Sequence, residues 1–378
     1  MPTPLDALET PRLILDAERL ERNCAVMRER CRSLKVALRP HLKTAKSAEV
    51  ARVALDGERS AITVSTLREA EHFAALGYHD ILCASGIVPG KFAHAARIQR
   101  ETGCDLILVT DALDVADAAA RFAQQQGVTL SFLIEIDCGE HRSGQLPDAP
   151  AVLAIARAIA AAPHLRLRGV MAHAGHSYGV GEPSAVVPIA AAERDAAVRA
   201  AATIRAAGMP CEIVSIGSTP TVLMADHLEG VTEARAGIYM FWDLAQLSRR
   251  MCREEDIAVS VLASVIGHTR HANTIILDTG ALALSKDIGA NKLLPDAGYG
   301  YLCDARTMRR LGSLAVDGVH QEHGTVLVDD PAWFDRLPVG TQVRVLPNHA
   351  CITAAGYSAY EVVRGSEVVG RWDRINGW

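Results

Sequence analysis

The chain has no C-x-x-C pair, although it carries nine cysteines. An odd number of scattered thiols fits free cysteines in a reducing cytoplasm better than a disulfide framework. A basic block is missing too, since 39 Lys and Arg against 44 Asp and Glu leave a net charge of -5. Neutralising the phosphates of a nucleic acid, or an anionic membrane surface, needs a concentrated positive patch, so neither is an expected partner. No apolar segment approaches the roughly 20 residues that span a bilayer. Met1-Pro2-Thr3-Pro4-Leu5-Asp6 lacks the basic region and apolar run of a secretory leader. Low-complexity segments and sequence repeats are absent. What is present is ordinary for a globular protein: 49% hydrophobic and 22% charged residues over 378 positions. That length predicts one large domain and a smaller one.

Short β-rich runs alternate with Ala-rich helical segments through the first two thirds of the chain. Residues 13–15 form a strand candidate, after which Asp16 can cap a helix with Leu20, Cys24, Met27, Cys31 and Leu34 at helical spacing. Eight further strands are expected at 36–42, 61–64, 80–84, 105–109, 130–137, 166–173, 212–216 and 233–240. Several are near-continuous apolar runs, as parallel strands covered by helices should be. Thr66 with Glu69 forms a capping box, and Gly77 suits the far end of that helix. Eight βα units predict a (β/α)8 barrel, although an open doubly wound sheet uses the same alternation. Polar residues at the C-terminal strand ends favour the barrel, and Lys43, Asp137, Arg142, His173 and Tyr178 all follow or close a strand. From about residue 251 the pattern becomes β-rich, with strands expected at 257–266, 274–277, 324–328, 342–346 and 360–363. The expected organisation is a barrel over 23–250 and a β-rich domain over 251–378, which the N-terminal segment 1–22 joins.

Three stretches carry chemistry. In Val36-Ala37-Leu38-Arg39-Pro40-His41-Leu42-Lys43-Thr44, an extended backbone puts Arg39, His41 and Lys43 on one face. That face is either a protected edge or the setting of a functional lysine. In Ile216-Gly217-Ser218-Thr219-Pro220-Thr221, glycine permits close approach, the hydroxyls can donate, and the helix start exposes N–H groups to an anion. Simple capping by Ser218 or Thr219 would explain this segment alone. Gly237-Ile238-Tyr239, after the eighth strand, supplies the second loop at which barrels commonly hold phosphate. A lysine facing such a pocket points to pyridoxal 5'-phosphate (PLP), whose aldehyde an amine can capture. Arg39 and His41 would lower the proton affinity of Lys43, and Arg142 could hydrogen-bond the cofactor's phenolic oxygen or be a surface arginine. In Pro347-Asn348-His349-Ala350-Cys351, His349 and Cys351 can share one divalent metal, zinc being favoured by imidazole and thiolate. Spacing alone equally fits an unmetallated pair.

Taken in order, Arg39-Pro40-His41-Leu42-Lys43-Thr44, Ile216-Gly217-Ser218-Thr219-Pro220, Arg235-Ala236-Gly237-Ile238-Tyr239 and Pro347-Asn348-His349-Ala350-Cys351 resemble the D-threonine aldolase and D-serine dehydratase family. The resemblance covers residues 10–378 and implies the alanine-racemase-like fold of PLP enzymes, usually paired as a homodimer. It implies that Lys43 carries the cofactor and that Tyr178 lies near its pyridine nitrogen. Ser218, Thr219, Gly237 and Tyr239 match the phosphate segments, and His173 and Gly217 complete the expected cofactor contacts. His349 and Cys351 match the metal pair. In the family, aldolases tend to carry His-x-Asp with manganese or magnesium, and dehydratases His-x-Cys with zinc. Cys351 therefore points to dehydration of a D-3-hydroxy-α-amino acid, D-serine or D-threo-3-hydroxyaspartate, to a 2-oxo acid and ammonia. The alternative is retro-aldol cleavage to glycine and an aldehyde. A racemase would need a second acid/base, and a PLP carrier would need no second domain. Gln321 and His323 are candidate substrate contacts.

Overall fold

A computed structural model describes residues 3–378, and they divide into two compact units. One unit comprises Ala25–Gly237 with the last two residues, and the other joins the N-terminal residues up to Cys24 to Ile238–Asn376.

The first unit contains eight parallel strands: Ala37–Leu38, Ile62–Val64, Asp80–Gly86, Asp105–Thr110, Leu130–Ile136, Leu165–Ala172, Ile213–Ile216 and Glu233–Ala234. From the second to the eighth each pairs with its sequence neighbour, and the first pairs with the eighth. A parallel bridge between His41 and Thr63 then joins the first strand's extension to the second, closing the ring of a (β/α)8 barrel. The middle strands are apolar and buried on both faces, Leu130–Ile136 throughout its length, as parallel strands beneath helices must be. Half of the expected capping box is present: Thr66 Oγ1 accepts from Glu69 N at 3.1 Å, while Glu69 Oε2 accepts from Ser65 N, one residue before the cap, at 3.2 Å.

Two barrel strands are shorter than their apolar runs predicted. Beyond Leu38, Arg39 N and His41 N donate to Ala234 O on the eighth strand and Ala236 O just past it, and toward the second strand Pro40, which has no N–H to give, only accepts, from Thr63 N. The eighth strand ends at Ala234, and the chain turns into a 3-10 helix at Ile238–Met240. Gly237 lies between: a Cβ there would stand 2.8 Å from His41 O and 2.9 Å from Thr44 Oγ1.

The second unit is an 11-stranded mixed sheet. The long strand Val259–Thr269 pairs antiparallel with Arg12–Asp16, Thr274–Leu277 and Gln342–Pro347. Arg12–Asp16 is central, since its other side pairs in parallel with Ala359–Arg364. Gly300–Asp304, Arg310–Ala315 and Glu367–Asp373 are strands that the apolar pattern did not announce.

Candidate active site

At the barrel mouth, Lys43 follows the first strand in a turn and is exposed. Its two expected cationic neighbours behave otherwise than the alternation suggested. Arg39 is 2% exposed, and its charge is matched by Glu233 Oε2 at 2.8 Å and by Asp80, whose carboxylate it grips with both Nη1 and Nη2. His41 is held well below the usual histidine pKa, first by burial and then by the charges of Lys43 and Arg235, so it is neutral. Neither residue presents a net positive charge to Lys43, because an interior arginine needs carboxylates and an interior imidazole sheds its proton.

His173 closes the sixth strand and donates Nδ1–H to Gly217 O, 2.7 Å away. A carbonyl only accepts, which fixes the tautomer and leaves Nε2 as a base. Burial, followed by the charges of Lys43, Arg235 and Arg142, lowers its pKa to about 3. Gly217 has φ +142°, and a Cβ there would collide with Arg235 O, so the seventh and eighth strands meet at a position that requires glycine. Ser218 caps the helix Thr219–Met224, accepting from Thr221 N at 3.2 Å, and it also bonds Ser177 Oγ at 2.8 Å. The Thr219 amide donates to the Tyr178 hydroxyl at 3.3 Å. Thr219 Oγ1 is buried and, among the described residues, has no hydrogen-bond partner. An unspent hydroxyl, a weakly engaged amide and a glycine without room for a side chain fit a phosphate group. The Tyr178 hydroxyl stands at this helix start, so a phosphate taking the Thr219 amide would displace it. Arg142 is exposed and stands 3.5 Å from Glu140, near enough to act on His173 and Glu135 by its charge.

Behind the loop lies a carboxylate that sequence reading missed. Glu193, fully buried on the helix Pro183–Ala206, accepts from Ala174 N at 2.8 Å, Gly217 N at 3.0 Å and Thr221 Oγ1 at 2.6 Å. It braces both segments of the mouth. Arg235 is equally buried and ties Ser215 Oγ to Ala172 O, each at 2.6 Å.

In the second unit, Asn348 and His349 lead into the helix Ala350–Ala355. His349 Nδ1 lies 2.7 Å from Asp287 Oδ2, and the ring also hydrogen-bonds the Cys351 thiol. Burial opposes its charge, but these two bonds and the fields of Cys351 and Asp243 together push its pKa up to about 11. The hydrogen bond between ring and sulfur brings together the two side chains that a cation would join. Imidazole with thiolate suits zinc. Among the described residues no cluster of three or more ligating side chains occurs, so a metal here would have two protein ligands and open positions. Tyr239 is buried in the Ile238–Met240 turn. Gln321 and His323 are exposed on a loop whose backbone carbonyls at His320 and Gln321 accept from Ala281 N and Leu282 N. The helix Ala281–Leu284 in turn receives Thr353 Oγ1 on Leu284 O at 2.7 Å. The two substrate candidates thus sit one short helix away from the His349 segment.

A model of the alanine racemase N-terminal domain matches residues 15–244, and a model described as a putative serine dehydratase domain matches residues 258–363. D-threo-3-hydroxyaspartate dehydratase of Delftia sp. (strain HT23) is 44% identical over 100% of both chains. Its solved structure matches 99% of this chain and 100% of that one with a TM-score of 0.95, and a cysteine-to-alanine variant is known in the metal-free form. D-serine dehydratase of Dictyostelium discoideum is 28% identical over 97% of this chain and 96% of its own. The 3-hydroxy-D-aspartate aldolase of Paracoccus denitrificans (strain Pd 1222) is 30% identical over 97% and 91%. Dehydratases and aldolases of this kind are PLP-dependent lyases, and so is this enzyme. The chain belongs to the alanine-racemase-like family in which a racemase-type N-terminal domain is followed by a serine dehydratase domain.

Proposed function

We propose that the enzyme dehydrates D-threo-3-hydroxyaspartate, and less readily D-serine, to the corresponding 2-oxo acid and ammonia. One observation carries this reading: the His349 ring hydrogen-bonds the Cys351 side chain in a chain 44% identical, end to end, to a D-threo-3-hydroxyaspartate dehydratase. PLP would be held by Lys43 through its aldehyde and by Thr219, Ser218, Gly217 and Gly237 at its phosphate, with His173, Tyr178, Tyr239 and Arg142 as further contacts. When bound it supplies an electron sink that acidifies the substrate's α-proton. A divalent metal on His349 and Cys351, zinc in preference to manganese or magnesium, supplies Lewis acidity toward the β-hydroxyl.

The chain's own part follows from the geometry. With the cofactor bound, the exposed Lys43 amine would serve as the base that takes the substrate's α-proton. His173 cannot compete as an acid at neutral pH, because burial keeps it neutral and Gly217 O holds its Nδ1–H. Its role is to fix the ring and the Gly217 carbonyl. Loss of the α-proton and of the β-hydroxyl as water, then hydrolysis of the released C=N unit, leaves the 2-oxo acid and ammonia in balance. We place the enzyme as a homodimer in a reducing cytoplasm. Its nine cysteines are free thiols, and among the described residues no helix is long and apolar enough to cross a membrane.

Product analysis tests the reading. D-threo-3-hydroxyaspartate should yield ammonia and a 2-oxo acid in equal amounts, and a chelator should stop the reaction until zinc is restored. The 30% identity to an aldolase favours retro-aldol cleavage as the second reading. Glycine and an aldehyde as the main products would establish it in place of dehydration.

A further inference from the structure

We infer that Asp287 is the positioning residue of the metal site: it fixes the tautomer and ring orientation of His349 and so sets the affinity for the metal. The inference rests on the reading of His349 and Cys351 as metal ligands.

Asp287 lies in an irregular loop after the helix Ala281–Leu284, far in sequence from the motif it serves. Its carboxylate is doubly committed. Oδ1 accepts from Gly289 N at 2.9 Å, and Oδ2 meets His349 Nδ1 at 2.7 Å. A carboxylate accepts, so the Nδ1 proton stays on the ring, and Nε2 is the nitrogen that gives up its proton when a cation binds. The loop is in turn fastened to the motif at neighbouring points. Asn348 Oδ1 accepts from Ala290 N at 2.8 Å, Asn348 Nδ2 donates to Asn291 Oδ1 at 2.7 Å, and Thr353 Oγ1 donates to Leu284 O at 2.7 Å. Contacts on both sides of the Asp287–His349 pair therefore splint the carboxylate in place before any ligand arrives. His349 is itself about one third exposed at its side chain, 34%, with Asp287 at 33%, so packing alone does not immobilise the ring. A hydrogen bond to a fixed anion does. It also raises the basicity of the free nitrogen, and partners of this kind typically alter metal affinity by about 10- to 100-fold.

The experiment uses the full-length enzyme, stripped of metal and titrated with Zn(II) in competition with a chromophoric chelator. Co(II) is then substituted, so that its thiolate charge-transfer band reports the Cys351 bond directly. Asp287→Ala should weaken binding by about 10- to 100-fold and shift the band. Asp287→Asn, whose amide oxygen still accepts from Nδ1–H, should recover part of the loss. Absorbance of the lysine-bound cofactor should remain that of the parent in both, which a general collapse of the fold would not allow. Asp287→Ala binding metal within twofold of the parent, with an unchanged band, would overturn the inference. Equal loss of metal and cofactor absorbance in both variants would overturn it too, by showing a merely structural role. Parent-like affinity in His349→Ala would instead bring down the metal reading itself, and the positioning role with it.

Discussion

Lys43 is the residue on which the cofactor assignment turns, and its setting makes a clean test. It is exposed and sits in a turn, so Lys43→Ala should change stability by no more than about 0.5 kcal/mol. The same substitution should abolish the visible absorbance of the lysine-bound cofactor, and activity with it. A purified variant that kept the parent's absorbance would remove the lysine from its role. Motif residues such as Lys43, Gly217, Ser218 and His349 were legible because each combines an unusual residue type with a strand end. Their supports were not legible. Glu193 reads as one more solvated charge on an Ala-rich helix, yet it is 0% exposed and brings Ala174, Gly217 and Thr221 together. Asp287 lies in a loop with no periodicity, and only folding brings it to His349. Arg39 was read as a companion of Lys43 because alternation gives faces, not depth.

At the scale of elements, Arg39 acts as a rivet in the barrel seam. It starts on the first strand's extension and reaches Ile62 O of the second strand, Asp80 of the third and Glu233 of the eighth. These strands lie on either side of the closure at His41 and Thr63, where the regular ladder is shortest. Arg39→Ala would leave Glu233 buried with the Ser215 hydroxyl as its hydrogen-bond partner and the charge of Arg235 nearby, and should cost about 3 kcal/mol. Urea unfolding measures this, and a loss below about 1 kcal/mol would show that the seam closes without it. The βα alternation was readable because parallel strands are continuous apolar runs. The strands Arg310–Ala315 and Glu367–Asp373 were not, because each carries an interior glycine and charged residues that resemble turns. Their pairing is settled by neighbours in the sheet rather than by local propensity.

For the whole molecule, the neutral histidines of the barrel set the response to acid. In the unfolded chain His173 has an ordinary pKa near 6.5, while in the folded chain it is lowered to about 3. As pH falls below 6.5 the unfolded state takes a proton that the native state refuses, so stability declines, and the decline from this residue is complete near pH 3. By pH 5 the loss amounts to about 2 kcal/mol. His41, shifted the same way, adds to it. His349, whose pKa is raised to about 11, gains stability over the same range and opposes this loss, so the contribution of His173 is read as a difference: in the cofactor-free protein, His173→Gln should lose less stability than the parent between pH 7.5 and pH 5. Urea midpoints that shift with pH by the same amount in His173→Gln and in the parent would show that the folded protein accepts this proton freely.

The order in which the chain is made gives the central position of Arg12–Asp16 a further meaning. This strand is translated before its partners at Val259–Leu262 and Glu361–Val363, the second of which lies near the far end of the sequence. At about 5–20 residues per second, an apolar strand made at the start waits roughly 20–70 s for its second neighbour. During that interval the barrel strands, all complete by Ala234, can assemble while Leu13, Ile14 and Leu15 have no sheet to enter. Whatever shields those three side chains during synthesis governs the yield of active enzyme, and a fusion placed directly before them imposes its burden at that stage.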